Sequence, residues 1–216
     1  MKLEWQQIDA VLLDMDGTLL DLQFDNDFWL RQVPHLYANH HDLNYQDAED
    51  YVFELYDQHK GTLQWYCTDF WSEMLDLEII KHKADLSHKV TIRPGTVEFL
   101  QACKKQQMPM ILVTNAHPAT LAIKLENSVI GEFFEQTFSS HQFSEPKESK
   151  LFWSQLEQEI QYSLNHCLFI DDSEDILQVA EQSGVKFLRT ISQPDLSLPE
   201  RQCTRYPAVN RLDELL

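Results

Sequence analysis

Near its start the chain reads Ile8-Asp9-Ala10-Val11-Leu12-Leu13-Asp14-Met15-Asp16-Gly17-Thr18. Residues 8–13 are apolar apart from Asp9 and predict a short buried strand, because short apolar runs that end in turn residues are typical of parallel sheets. Two carboxylates and Gly17 follow at once, and glycine allows the chain to turn sharply there. The segment therefore predicts a strand that ends in a tight, polar and acidic loop.

Three later segments repeat this arrangement of a short β-prone run followed by polar or charged side chains. Residues 110–113 lead into Thr114 and Asn115, residues 136–140 lead towards Lys147, and residues 167–170 lead into Asp171 and Asp172. Each polar end alone is as consistent with helix capping as with ligand binding. The carboxyl ends of parallel strands share one sheet edge, where ligands bind. Four polar strand ends at one edge favour a ligand-binding site there over a chance collection of helix caps.

Helical stretches alternate with these predicted strands. In the last of them Ile176, Val179 and Ala180 form one apolar stripe, and Gly184 supplies a stop signal. This alternation predicts an α/β fold with a Rossmann-like parallel sheet. The predicted helices cover residues 96–107, 118–129, 148–161 and 174–183.

A different pattern occupies residues 24–90, which are rich in aromatic residues and helix formers and show no strand alternation. Asn44 is placed to cap a helix over residues 45–60, and a second helical run covers residues 62–77. The sequence therefore predicts two domains. A core comprises residues 1–23 and 91–216, and an inserted helical cap comprises residues 24–90.

The composition excludes several classes of partner. The 216 residues carry 17 Lys and Arg against 35 Asp and Glu, a net charge of −18. That charge disfavours nucleic acid and anionic lipid surfaces, whereas a small phosphorylated substrate needs only a local reversal of sign. The apolar runs are far shorter than a membrane span. Four widely spaced cysteines and the absence of a signal-like start predict a reducing, cytoplasmic location.

The closely spaced Asp14 and Asp16 carry the most specific chemical signal. Like charges this close repel each other unless a divalent cation or a proton separates them. Both conditions suit phosphoryl transfer, in which one carboxylate attacks phosphorus and the other moves protons. The chain has no glycine-rich phosphate loop, so a metal, a lysine and strand-end donors would have to hold the phosphate.

Asp14-Met15-Asp16-Gly17-Thr18 resembles the first motif of the haloacid dehalogenase (HAD) superfamily, most of whose members are Mg²⁺-dependent phosphatases. The other motifs follow in order as Leu112-Val113-Thr114-Asn115, Pro146-Lys147-Glu148 and Phe169-Ile170-Asp171-Asp172-Ser173. The segment after the first motif resembles the helical C1 cap of that family. A carboxylate at position 16 argues for a phosphate ester, because the halide released by a dehalogenase needs no proton.

The resemblance implies a role for each matching residue. Asp14 would be the nucleophile that forms an aspartyl-phosphate, and Asp16 would act as general acid and then as general base. The carboxylates of Asp14 and Asp172 and the backbone carbonyl of Asp16 would bind Mg²⁺, with Asp171 in support. The phosphoryl oxygens would be held by Thr114, the Asn115 amide and Lys147.

A closer resemblance, to the bacterial GMP/IMP 5′-nucleotidase group, spans both predicted domains. It is carried by Asp25-Asn26-Asp27-Phe28-Trp29, by residues 65–73, by Thr114-Asn115-Ala116-His117-Pro118 and by Lys124-Leu125-Glu126. It implies that the substrate is a purine nucleoside 5′-monophosphate. Three alternatives stay open: a phosphatase for another small ester such as a sugar phosphate, a phosphomutase, and a binding protein on an inactive phosphatase fold.

Several side chains have a structural as well as a functional interpretation. Trp65, Phe70 and Trp71 are favoured as packing residues of the helical segment, whereas Trp29 is equally consistent with ligand contact. A turn or capping role is favoured for His117. Cys67 and Cys167 are expected to be buried apolar residues. Members of the family often carry a further acid or amide four residues after the last metal ligand, but that position here is Ile176, and Asp175 lies one residue short.

Overall fold

The structure, a computed structural model, describes residues 3–216, and a parallel β-sheet lies at its centre. The six strands of this sheet have the order β3-β2-β1-β4-β5-β6, which confirms the predicted α/β fold. All neighbouring strands are parallel. The strands are β1 (Ala10–Leu13), β2 (Met110–Thr114), β3 (Gln136–Ser139), β4 (Cys167–Asp171), β5 (Phe187–Ile191) and β6 (Ala208–Val209).

Helices connect the strands. A further set of helices lies between β1 and β2 in the sequence and forms a separate layer. That layer, here called the helical insert (residues 23–89), contains α1 (Gln23–Asp27), α2 (Val33–His40), α3 (Tyr45–His59), α4 (Leu63–Tyr66), α5 (Thr68–Leu75) and α6 (Ile79–Asp85), with a π-helical turn over Phe28–Gln32. The helices that cover the sheet are α7 (Thr96–Lys105), α8 (Pro118–Glu126), α9 (Lys150–Glu159) and α10 (Glu174–Gln182).

The sheet is buried on both faces, which explains why its central strands are apolar throughout. Alternate side chains of β1 point to opposite faces. Val11 and Leu13 pack on one side in a cluster with Phe99 of α7. Ala10 and Leu12 pack on the other side in a cluster with Trp153 of α9. The sheet is thereby held rigidly between two helical layers, and its loops project from a fixed frame.

The helical insert has an apolar core of its own. Phe28, Val52, Tyr56, Trp71 and Leu75 are buried together in it. Trp71 is 1% exposed, and its indole N–H donates to the Trp65 carbonyl at 2.9 Å. The packing role predicted for Trp71 is therefore confirmed.

The elements differ from the sequence prediction in two places. The run over residues 62–77 is not one helix, since the backbone at Cys67 is extended and separates α4 from α5. The strands β5 and β6, which the sequence analysis did not predict, extend the sheet beyond β4. Within the described residues 3–216, no helix is both long and apolar enough to cross a membrane.

Candidate active site

The carboxyl ends of β1, β2 and β4 bring the predicted acidic residues to one edge of the sheet. Leu13 pairs with Leu112 on one side and with Ile170 on the other. Asp14 follows directly, and its backbone N–H donates to the Ile170 carbonyl at 3.0 Å. Asp14 consequently lies beside Asp171, more than 150 residues away in the sequence.

Lys147 lies at the centre of this edge and is 1% exposed. Its Nζ donates to Asp14 Oδ1 at 2.5 Å and to Asp171 Oδ2 at 2.7 Å. Burial alone would lower the pKa of this lysine, but the two carboxylates raise it above its ordinary value. Lys147 is therefore a permanent positive charge beside the carboxylates.

Three carboxylates form a cluster of hard oxygen donors. One oxygen from each of Asp14, Asp171 and Asp172 lies within 4.8 Å of the other two. Burial, and then the charge of Asp171, raise the pKa of Asp172 to about 7. Burial also raises the pKa of Asp14, although Lys147 opposes the increase. Because one lysine does not balance the buried Asp14 and Asp171 and the half-buried Asp172, the cluster fits an additional divalent cation, and oxygen ligands are those that Mg²⁺ prefers.

Gly17 allows the acidic loop to lie against this cluster. Its φ is +84°, and a Cβ at this position would lie 2.8 Å from Cγ of Asp172 and 2.9 Å from Cβ of Pro194. Any other residue would be strained in the backbone and would also displace Asp172. The need for glycine at this position, six residues before the helical insert, therefore arises from the positive φ and from the close approach of Asp172 and Pro194.

Thr114 and Asn115 reach the same edge at the end of β2. The Thr114 hydroxyl oxygen accepts a hydrogen bond from the Ala116 N–H at 3.0 Å. The Asn115 carboxamide accepts from the Lys147 N–H at 2.9 Å and donates to Glu148 at 3.0 Å. The side chain of Asn115 therefore positions the lysine loop. Its backbone amide is the group that the sequence analysis assigned to phosphate.

The carboxylate of Asp16 pairs with a lysine outside the cluster. It accepts a hydrogen bond from Lys124 Nζ of α8 at 2.6 Å, whereas the cation cluster contains only the other three acids. Burial raises the pKa of Asp16, and Lys124 opposes the increase. Because its pKa is raised, the Asp16 carboxyl group retains a proton more readily than a solvated aspartate does.

Lys124 begins a buried chain of charges that leads into the helical insert. Its Nζ also donates to Asp25 Oδ2 of α1 at 2.5 Å. Asp25 Oδ1 in turn accepts from Lys83 Nζ of α6 at 2.7 Å. Lys124 is 1% exposed and Lys83 is 2% exposed. The sequence analysis missed this network, since lysines within helices are ordinarily solvated. One signal was present: Lys124 lies on the same helical stripe as Thr120 and Leu121, the buried residues of α8.

A cavity of about 330 Å³ lies between the strand ends and the helical insert. Asp14, Asp16 and Thr114 line it on the core side, and Trp29 and Trp65 line it on the insert side. Its volume is within the range of small-molecule sites, roughly 300–1,000 Å³. The cavity therefore connects the predicted catalytic edge with aromatic surface.

Other sequence interpretations have mixed outcomes. The His117 side chain accepts from the Ala119 N–H at 3.4 Å at the start of α8, so its capping role is confirmed. Cys167 is fully buried, as expected, but the prediction for Cys67 is wrong, because its side chain is only half-buried beside the insert–core boundary. Asp175 is 82% exposed and pairs with Arg205 at 2.6 Å, which places it on the surface and away from the cation cluster.

Comparisons with known proteins agree with this geometry. A family model of haloacid dehalogenase-like hydrolases matches residues 8–184. The GMP/IMP nucleotidase YrfG of Escherichia coli is 38% identical over 216 residues, which cover 100% of this chain and 97% of that protein. Among solved structures, a HAD phosphatase from Thermococcus onnurineus has a TM-score of 0.81 at 17% identity, with 96% of each chain covered. The YfnB protein of Bacillus subtilis, solved bound to magnesium, has a TM-score of 0.67 at 19% identity, also with 96% of each chain covered.

Proposed function

The chain belongs to the haloacid dehalogenase-like hydrolase family, and from this premise we propose that it hydrolyses purine nucleoside 5′-monophosphates through an aspartyl-phosphate at Asp14. Phosphatase activity follows from the family and the full-length relative. The observation that carries the finer proposal is the contact of Lys147 with both Asp14 and Asp171 at one end of an aromatic-lined cavity.

In the first step, the free carboxylate oxygen of Asp14 attacks phosphorus, and the bond from phosphorus to the 5′ oxygen breaks. In this proposal the phosphoryl oxygens accept hydrogen bonds from Lys147, the Thr114 hydroxyl and the Asn115 backbone amide as their charge shifts. Lys147 also offsets the charge of Asp14 as the phosphoryl group approaches. The alcohol leaves, and the phosphoryl group stays on Asp14.

Asp16 is the general acid and then the general base in this scheme. Its raised pKa allows it to give a proton to the leaving 5′ oxygen. The resulting carboxylate then takes a proton from the water that hydrolyses the aspartyl-phosphate, which releases inorganic phosphate. Lys124, at 2.6 Å, holds the carboxylate and stabilises it between the two steps.

Mg²⁺ fits the oxygen cluster of Asp14, Asp171 and Asp172, and the resemblance to the family adds the backbone carbonyl of Asp16 as a further candidate ligand. When bound, the cation supplies charge neutralisation between the carboxylates and the phosphoryl oxygens. The side chain of Asp172 lies directly against the turn at Gly17, where only glycine leaves room for it. Asp171 is held from the other side by Lys147 and by the Ser173 N–H at 2.8 Å.

The helical insert acts as a cap over the bound ester. Tyr66 of the insert donates to Glu148 of the core at 2.5 Å and closes one side of the cavity. The half-buried Trp29 and Trp65 supply apolar surface on the insert side of the cavity. Base–aromatic stacking contributes about 1–3 kcal/mol per base in single-strand binding proteins. A purine monophosphate contacts both sides of such a cavity, with its phosphate at the strand ends and its base against the two tryptophans. The net negative charge of the chain disfavours nucleic acid as a partner but is compatible with a small phosphorylated molecule.

The four cysteines are free thiols, which agrees with the proposed cytoplasmic location. Nothing in the proposed reaction uses them. Cys103 and Cys167 are buried, and burial raises the pKa of both thiols to about 12. They are therefore inert packing residues rather than nucleophiles.

A substrate panel tests the proposal. Release of inorganic phosphate is measured with GMP, IMP, AMP and glucose 6-phosphate, with Mg²⁺ and with EDTA. We expect the highest kcat/KM with GMP or IMP and no turnover in EDTA. Hydrolysis of the sugar phosphate in preference to every nucleotide would refute the substrate assignment, and an isomerised sugar phosphate in place of inorganic phosphate would identify a mutase.

Asp14→Asn tests the nucleophile separately, because the amide is nearly isosteric. We expect a loss of at least about 10³-fold in kcat, in keeping with the loss of a covalent nucleophile. Asp175→Asn is the matched control, since Asp175 is an exposed carboxylate outside the cavity. Near wild-type activity of the Asp14 variant would exclude the assignment.

A further inference from the structure

A second group of metal-ligating side chains lies apart from the carboxylates. The Cys67 Sγ and one ring nitrogen from each of His117 and His141 all lie within 4.8 Å of one another. The three residues come from separate segments. Cys67 lies between α4 and α5 of the helical insert, His117 precedes α8, and His141 is in the turn after β3. The group therefore spans the boundary between insert and core.

Neighbouring groups already orient two of these ligands. The Cys67 Sγ accepts a hydrogen bond from the Phe70 N–H at 3.4 Å. Nδ1 of His117 lies 2.9 Å from the Thr68 hydroxyl. The two imidazole rings are nearly perpendicular, at 83°, with centroids 4.9 Å apart. Such outer contacts fix the direction in which a ligand presents its lone pair, as they do in known metal sites.

His141 supplies an independent indication that something binds here. Its Nε2 atom is buried and makes no hydrogen bond of normal geometry within residues 3–216, although backbone groups of Tyr66 and Asn115 lie near the ring. A buried polar atom without a partner is costly unless a water or an ion satisfies it. Burial, and then the proximity of His117, lower the pKa of His141 to about 4. The imidazole is therefore neutral at physiological pH, which is the form that binds a metal.

The donor types select the class of ion. One thiolate and two imidazoles suit Zn²⁺ and disfavour Mg²⁺, which prefers oxygen. Tetrahedral Zn²⁺ with bond lengths of about 2.0–2.3 Å places its ligand atoms roughly 3.3–3.8 Å apart. The three ligand atoms lie within 4.8 Å of one another, so each separation needs to close by at most about 1.5 Å to complete the site. The Asp69 carboxylate, 3.7 Å from Nε2 of His117, or a water is available for the fourth position.

We propose that Cys67, His117 and His141 form a Zn²⁺ site that fastens the helical insert to the core. His117 also lines the substrate cavity. An ion held by one ligand from the insert and two from the core would resist separation of the insert from the core. It would therefore slow substrate binding or product release if either step requires that separation. The predicted consequence is inhibition by Zn²⁺ at a site other than the Mg²⁺ site. The binding part of this proposal does not depend on which ester is the substrate.

Binding is tested with the full-length protein, freed of metal with EDTA, dialysed, and kept in excess Mg²⁺ so that the carboxylate cluster is occupied. Co²⁺ is the spectroscopic probe, and Zn²⁺ then displaces it. We expect one equivalent of Co²⁺ to give a thiolate-to-metal charge-transfer band, and one equivalent of Zn²⁺ to abolish it. Absence of that band in the wild-type protein would overturn the proposal, whatever the variants do.

Variants assign the band to its ligands. Cys67→Ser and His141→Gln are each expected to remove the band or to weaken Zn²⁺ binding at least tenfold. Cys203→Ser and His166→Gln are the matched controls, because both residues lie outside the group, and they are expected to bind Zn²⁺ like the wild type. A band that persists in Cys67→Ser would overturn the assignment.

Inhibition is measured with p-nitrophenyl phosphate in excess Mg²⁺. One equivalent of Zn²⁺ is expected to lower kcat of the wild-type protein severalfold, and to lower that of Cys67→Ser much less. Equal inhibition of both proteins would show that Zn²⁺ acts at the carboxylate cluster, which would overturn the fastening role. Failure of the proposed nucleotidase function would instead appear in the substrate panel, with the Co²⁺ spectrum unchanged.

Discussion

Replacing Lys147 with methionine tests the charge balance of the site directly. Methionine fills a similar volume, so the main change is the loss of one positive charge from between two carboxylates. Lys147 contacts Asp14 at 2.5 Å and Asp171 at 2.7 Å, and the side chains of these acids are only 8% and 1% exposed. Both carboxylates would remain buried without their cation.

The expected loss of stability follows from those contacts. At about 3 Å and an effective dielectric constant of about 20, each contact has a Coulomb energy of about 5 kcal/mol. The variant no longer bears the desolvation cost of the ammonium, which offsets part of that energy. Removal of one partner from a buried ion pair typically costs about 3–5 kcal/mol. We therefore expect the free energy of unfolding of metal-free Lys147→Met to fall by about 3–5 kcal/mol at pH 8.

The loss should depend on pH in a defined direction. Lys147 opposes the rise in the pKa of Asp14 that burial causes, so without Lys147 the folded-state pKa of Asp14 lies further above its unfolded value. A carboxyl group with a raised folded pKa loses stability as the pH rises from its unfolded value through its folded one. The deficit should therefore be smaller at pH 5 than at pH 8.

Urea unfolding in EDTA at both pH values measures the deficit. Lys150→Met, a change to an exposed lysine in the next helix, is the matched control and should cost less than about 0.5 kcal/mol. A deficit under about 1 kcal/mol for Lys147→Met at pH 8, or an equal deficit at both pH values, would refute the reasoning.

Three further predictions concern the same edge of the sheet. Gly17→Ala should destabilise the protein more than Gly61→Ala and should weaken Mg²⁺ binding, since both glycines have positive φ but only Gly17 is blocked by Asp172; equal unfolding and Mg²⁺ titrations for the two variants would contradict this. Because metal-free Asp172 has a pKa of about 7, Mg²⁺ binding should release a proton at pH 6 and release little at pH 8.5, as calorimetry in buffers of different ionisation enthalpy will measure; equal release at both pH values would count against it. Lys124→Met should lower kcat and raise the apparent pKa of the general acid in the pH–rate profile of kcat, because Lys124 opposes protonation of Asp16; a lower kcat with an unshifted profile would indicate a purely structural role.

The acidic edge of the sheet could be predicted from the sequence because strand ends carry its residues. Asp14, Thr114 and Asp171 each follow a run of apolar residues, and parallel strands place their carboxyl ends together whatever the distance along the chain. Lys147 is different, since it lies in a loop after β3 and only its position in the ordered motifs indicated a role. The structure gives the physical reason for that position: the Asn115 side chain fixes the backbone of Lys147 at 2.9 Å.

The charge network and the half-buried thiol could not be predicted in the same way. Lys83, Asp25 and Lys124 belong to three helices from two layers, and no short-range pattern encodes how those layers pack. Cys67 is a comparable case, because only the break between α4 and α5 turns it towards His117. Contacts across the insert–core boundary depend on tertiary packing, whereas contacts along the sheet edge depend on strand register.

The most direct test of the central claim is to trap the phosphorylated enzyme. The protein is mixed with GMP and Mg²⁺, quenched in acid during turnover, and analysed by intact-mass and peptide mass spectrometry. We expect a wild-type species heavier by one phosphoryl group, with the modification on Asp14, and no such species for Asp14→Asn. Turnover without any phosphorylated species, or phosphorylation of a different residue, would contradict the account.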